Sequence, residues 1–142
     1  MNYLLDTNVL SEAMRKQPHP QVLRWIAAQA DESLFVSAIT IGELRRGALL
    51  LPDGRKRRTL QRWIETVVKA EFAGRILPLD LPVMERWADL ESMTIKAGRR
   101  LPLLDSLLAA TALAHGLIFV TRNTLDFQAA GIPLIDPWQE PG

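Results

Sequence analysis

Short apolar runs alternate with helical stretches along this chain, and that alternation restricts the fold more than any other feature. Tyr3-Leu4-Leu5, Leu34 to Ile39, Ile76 to Leu79, Ile118 to Thr121 and Leu134-Ile135 read as strands. The proline at 78 places the third of them near a sheet edge. Between them the periodicity turns helical. Ser11 to Lys16 reads as a helical turn, and Gln21 to Ala30 as a helix with Val22, Trp25 and Ile26 on its apolar face. Thr40 to Leu51 is a helix ended by Pro52-Asp53-Gly54. Arg55 to Phe72 is a long amphipathic helix with Leu60, Trp63, Ile64, Val67 and Val68 inward, closed by Gly74. Pro82 opens a helix over Val83 to Ala97, and Leu103 to His115 ends at Gly116. Strands alternating with helices predict an α/β protein, a three-layer sandwich with a mainly parallel central sheet. A length of 142 residues gives one core, so a single domain is expected over 1–142, its tail at 137–142 loosely ordered beyond Trp138.

Against that frame four carboxylates stand out. Asp6 ends the first strand, Asp126 follows Val120-Thr121, Glu43 lies in the first turn after another strand, and Asp105 sits in the apolar run Leu103 to Leu108. In open parallel sheets, ligands bind beyond the carboxyl ends of the strands. Each residue also has a plain structural role open to it. Asp6 can cap the following helix. Thr40 and Glu43 have the spacing of a capping box, which would turn the Glu43 carboxylate away from a ligand. Asp105 can serve the helix dipole near Pro102, although the apolar surroundings predict a buried and costly charge. Asn123 can cap a short helix, with Asp126 as its partner. Glu12 is close enough in sequence to Asp6 to supply a supporting oxygen. Asp80, just before Pro82, suits an N-cap.

Four carboxylates on four elements imply one converging cluster, and such a cluster repels itself unless a hard cation sits in it. Mg²⁺ or Mn²⁺ follows, and with it phosphate chemistry: such an ion acidifies water and offsets charge on a phosphodiester in transit. Other chemistries drop out. The chain has no Cys, no Gly-x-Ser-x-Gly and no Gly-x-Gly-x-x-Gly, and Ala48 stands where a phosphate loop needs lysine. His19 lies between prolines and His115 at a helix end. A net charge of +1 advertises no global nucleic-acid field, so any such surface is local. Arg45 and Arg46, just after Glu43, are candidates for RNA contact; Arg55 to Arg58 and Lys96, Arg99 and Arg100 are others. The longest apolar window, Leu101 to Val120, contains Asp105 and His115, which argues against a membrane span; with no Cys, the chain suits a reducing cytoplasm.

Four segments carry a resemblance: Leu4 to Glu12, Ser37 to Leu44, Leu104 to Ala112 and Thr121 to Phe127. In this order and at these separations they resemble the PIN-domain ribonucleases, most closely the VapC toxins of type II toxin–antitoxin systems and their FitB-like branch. The resemblance implies a Mg²⁺- or Mn²⁺-dependent endoribonuclease, a homodimer, and a cognate VapB-like, DNA-binding antitoxin. It puts Asp6, Glu43, Asp105 and Asp126 in the catalytic set. Asp6 and Asp105 are then the firm metal ligands, joined by Glu43 and by either Asn123 or Asp126. Asn8 and Thr121 support the cluster. Relatives in the FitB-like branch often carry Asp where this chain has Asn123, which leaves the fourth ligand, and one ion or two, open. The alternatives are a phosphatase with an Asp6 nucleophile, which Asn8 disfavours, and a non-catalytic RNA- or partner-binding module.

Overall fold

A computed structural model describes residues 1–139. In chain order the elements are β1 (Tyr3–Leu5), α1 (Thr7–Ala13), α2 (Pro20–Ala28), β2 (Leu34–Ser37), α3 (Ala38–Leu49), α4 (Arg55–Trp63), a π-helical stretch (Ile64–Val68), α5 (Lys69–Glu71), β3 (Ile76–Leu77), α6 (Leu81–Lys96), α7 (Leu103–His115), β4 (Ile118–Val120), α8 (Thr124–Phe127) and β5 (Leu134–Ile135). The five strands form one sheet in the order β3-β2-β1-β4-β5. Every pairing is parallel. The expected α/β sandwich is therefore the observed one, with β3 at an edge and Pro78 just beyond its last residue.

Alternation along the strands splits the core in two. Leu4 and Phe119 face one layer, where they pack with Leu90 of α6 and Leu108 and Ala112 of α7. Leu5 and Val120 face the other, with Val9, Val22, Leu44, Ile64 and Val68. Phe119 and Phe127 stack at 4.6 Å between ring centres, which docks α8 against β4.

Several boundaries differ from expectation, each for a local reason. The first helix begins at Thr7, not Ser11, because Asp6 caps it, accepting from the Thr7 N–H at 2.7 Å. The third helix begins at Ala38, because Ser37 accepts from the Ile39 N–H at 3.0 Å and is the N-cap. The expected capping box at Thr40 and Glu43 is thus absent. Thr40 is fully buried within the helix, and its hydroxyl has no partner among the described residues. The long helix from Arg55 is continuous to Glu71 but widens over Ile64–Val68. That extra residue leaves Val67 half exposed, contrary to its expected inward place. Gly116 closes α7 in the left-handed region at φ 63°, as its position predicts. Asp80 caps α6 through the Val83 N–H at 3.2 Å. Within the tail expected to be loose, Pro137 is buried and Trp138 packs on the core; residues 140–142 lie outside the described residues. Among the described residues, no helix is long and apolar enough to cross a membrane.

The N-cap assignment has a direct check in urea unfolding. Ser37→Ala should cost about 1 kcal/mol. Thr40→Val should be neutral or stabilising, because it removes an unpaired buried hydroxyl. The reverse order would return the cap to Thr40.

Candidate metal centre at the carboxyl edge of the sheet

The chain leaves β1 toward β2 on one side, while β4 pairs on the other, so the strand order reverses beside β1. A crevice forms at such a reversal, outside the carboxyl ends of the strands. Register fixes what lines it. Leu5 pairs with Val120, so the next residues, Asp6 and Thr121, emerge side by side. The Asp6 N–H donates to the Val120 carbonyl at 2.9 Å, and the Thr121 hydroxyl donates to Asp6 Oδ2 at 2.8 Å. The Asn8 amide donates to the same oxygen and to Thr121 Oγ1, each at 3.4 Å. Asn8 and Thr121 therefore both hydrogen-bond the Asp6 carboxylate.

Glu43 comes from α3. Freed from any capping duty, its Oε1 accepts from the Thr7 hydroxyl at 2.8 Å. Thr7 links the two carboxylates directly, since its N–H serves Asp6 and its hydroxyl serves Glu43. Sequence reasoning missed this residue. Its only signal was position: a hydroxyl immediately after a strand-ending aspartate, at the first residue of a helix.

Asp105 lies in the first turn of α7 and is half-buried rather than buried. The helix is not apolar all round there, because Leu103 and Leu104 are exposed. What fixes this turn is Ser106, which donates to the Leu103 carbonyl at 2.7 Å and accepts from the Trp87 indole at 2.9 Å. Asp126 and Asn123 are both exposed beyond β4. Asn123 holds the N-cap position of α8 without capping by its side chain; its N–H donates to Thr121 Oγ1 at 3.0 Å.

The acids act on one another pairwise. Burial pushes the Asp6 carboxyl up to about 6; its bonds from Thr121 and Thr7 work against that, and Glu43 and Asp105 add to it. Asp105 is also raised, first by burial, then by Glu43 and Asp126. Among the described residues, none of Asp6, Glu43, Asp105 and Asp126 has a Lys or Arg ion pair. The cluster is negative, partly desolvated and uncompensated, and every donor it offers is a hard oxygen. That chemistry fits a small divalent cation. No three acidic or imidazole groups among the described residues stand as a ready-made cage, so the fit lies in charge and donor type.

Two expected contributors do something else. Glu12 is buried, and its oxygens are taken by Arg15 at 3.2 Å and the His19 N–H at 3.0 Å. Burial works to raise its carboxyl, but these bonds outweigh it and hold the group below its ordinary value. It therefore ties α1 to α2 instead of supporting Asp6. Arg45 lies 3.7 Å from Glu65, while Arg46 is exposed in the last turn of α3.

A parallel sheet with hard-oxygen acids at its switch point suits metal-assisted phosphodiester chemistry. The model of the PIN domain matches residues 3–132, and the chain belongs to that family. The VapC ribonuclease Y4jK of Sinorhizobium fredii is 43% identical over 136 residues, 96% of this chain and 97% of that one. Toxin FitB of Neisseria gonorrhoeae is 41% identical over 137 residues, covering 96% and 99% respectively. The solved structure of FitAB bound to the IR36 DNA fragment superposes with a TM-score of 0.92 at 38% identity, over 99% of this chain and 98% of that one.

The raised Asp6 carboxyl carries a stability consequence. The folded state holds this proton more tightly than the unfolded chain, so stability falls as pH rises from about 4 to about 6. The full cost, roughly 3 kcal/mol at most, is present at neutral pH. Asp6→Asn should therefore raise the urea midpoint of metal-free protein at pH 7.5, and the two proteins should converge near pH 4. A variant less stable than wild type at pH 7.5 would contradict the burial argument.

Proposed function

We propose that this chain is the toxin of a type II toxin–antitoxin pair, a divalent-metal-dependent endoribonuclease that cleaves RNA phosphodiester bonds. The observation that carries the reading is the uncompensated carboxylate cluster at the switch point of the sheet, on a chain that belongs to the PIN domain family. The ribonuclease and toxin names of its relatives support it.

Asp6, Glu43 and Asp105 are the residues to hold Mg²⁺ or Mn²⁺, and the fourth position falls to Asp126 or Asn123. Asp126 brings charge and acts on Asp105; Asn123 brings only an amide oxygen. A bound ion supplies charge neutralisation at the phosphate and acidifies water. The rest is done by the chain. Thr121, Asn8 and Thr7 fix the two carboxylates they touch, so the acids are pre-aimed without losing charge to an ion pair. Asp105, half-buried in the first turn of α7, can hold the ion through one carboxylate oxygen and accept a proton from the attacking water on the other. Arg46 is the better placed of the two arginines for RNA phosphate, since Arg45 is engaged by Glu65.

Partners follow from the same reading. FitB is found with FitA on DNA, which supports a DNA-binding antitoxin here. Exposed Leu81, Met84, Met93 and Ile95 on α6, with Leu103 and Leu104 on α7, support a homodimer. A cytoplasmic site of action suits an RNA substrate.

An RNA-cleavage assay with purified protein and Mn²⁺ tests the reading. Asp6→Asn and Asp105→Asn should lose activity to background, and EDTA should do the same to wild type. Thr121→Val should lose about 10- to 100-fold. Whichever of Asp126→Asn and Asn123→Ala loses more identifies the fourth group. Undiminished activity in folded Asp6→Asn protein would overturn the site.

A further inference from the structure

Beside the acids, beyond the end of β4, lies a pocket of about 430 Å³ lined by Arg122, Asn123, Thr124, Asp126, Asp136 and Gln139, with Leu125 at its rim. Its volume is that of a small-ligand site. Its walls are polar, with both donors and acceptors. The Arg122 guanidinium lies 5.0 Å from the centre of the Trp138 ring. Arg122 is exposed and lines the pocket while its guanidinium sits over the indole.

This arrangement is held from both ends. The Trp138 backbone N–H donates to Asp136 Oδ1 at 2.9 Å, which fixes the main chain that carries the indole. The Arg122 N–H reaches Asn8 Oδ1 at 3.5 Å, and the amide of Asn8 donates to Asp6 Oδ2. Arg122 also directly follows Thr121, the residue that holds Asp6. The shelf is therefore mechanically continuous with the cluster, and its position next to Asp126 puts it where a strand passing the acids would run. Single-stranded RNA is read by stacking of unpaired bases on aromatic rings or arginine planes, with polar groups at the base edges.

We propose that Arg122, stacked on Trp138, forms a specificity subsite for one unpaired base of the RNA, adjacent to the cleaved phosphodiester, with Thr124 and Gln139 at the base edge. The inference rests on the ribonuclease reading above and deepens it: the subsite chooses where along a single strand the cut falls. A simple tie for the C-terminal segment would use the same Arg122–Trp138 contact but would leave base preference untouched.

The test uses the full chain and a random-sequence single-stranded RNA pool with Mn²⁺, with cut sites read by sequencing of product ends. Arg122→Ala should raise KM about tenfold with little change in kcat, and should flatten base preference at one position flanking the cut. Gln139→Ala should change which base is preferred there. Arg122→Lys keeps the charge but loses the plane, so it should recover part of the KM and none of the preference. Unchanged KM and preference in Arg122→Ala would overturn the subsite. So would full recovery of both in Arg122→Lys, which would reduce Arg122 to a point charge. A parallel arm measures binding of labelled rA, rC, rG and rU homopolymers in Ca²⁺. If wild type cuts no RNA, the ribonuclease reading fails and this arm decides the subsite. A roughly tenfold, base-dependent loss of affinity in Arg122→Ala would uphold it; equal affinities, or no binding by wild type, would overturn it.

Discussion

The hydrogen bond from Thr121 to Asp6 is the interaction on which the rest of the site depends. It joins the carboxyl ends of two neighbouring parallel strands at the point where the sheet order reverses. It also holds a buried carboxylate that no cation of the described chain neutralises. An unpaired buried charge is costly, and a fold tolerates it where the charge has a use. Thr7 extends the bond to Glu43, and Asn8 extends it to the turn carrying Arg122. Asp6, Thr7 and Asn8, the three residues after β1, thus connect the Asp6 and Glu43 carboxylates with the loop after β4.

Supporting this arrangement are elements with no chemistry of their own. Leu4 and Phe119 bury into one layer, Leu5 and Val120 into the other, in the β1–β4 register that sets Asp6 beside Thr121. A slip of one residue would part Asp6 from Thr121. Ser37 starts α3 early enough to leave Glu43 uncommitted, and Ser106 braces the turn that presents Asp105. Local capping chemistry thus decides which carboxylates remain available.

The sheet and the acids were legible in the sequence for the same reason. Apolar runs ending in Asp6, or followed closely by Asp126, are written by burial, and burial is a strong and local signal. The Leu103–His115 helix and its Gly116 stop were equally plain. Cap choice was not. Ser37 and Thr40 are both good caps by residue type, and only the point where β2 stops pairing favours Ser37. Glu12 looked like an ally of Asp6 by proximity, yet α1 turns its side chain toward Arg15 and His19. The widening of the long helix at Ile64–Val68 left no mark in an amphipathic pattern, so Val67 was misplaced. The Arg122–Trp138 contact pairs residues far apart in the chain, which periodicity cannot report.

Mutual repulsion among uncompensated carboxylates would be relieved by a divalent cation. Calorimetric titration of Mn²⁺ in buffers of differing ionisation enthalpy measures this directly, because it counts protons released on binding. Asp6, with its carboxyl pushed up to about 6, should release close to one proton per site at about pH 5 and almost none at about pH 8. Affinity should rise across that range, and Asp6→Asn should remove most of the proton release. Binding with no proton release at any pH between these limits, or with the same release in Asp6→Asn, would contradict the account.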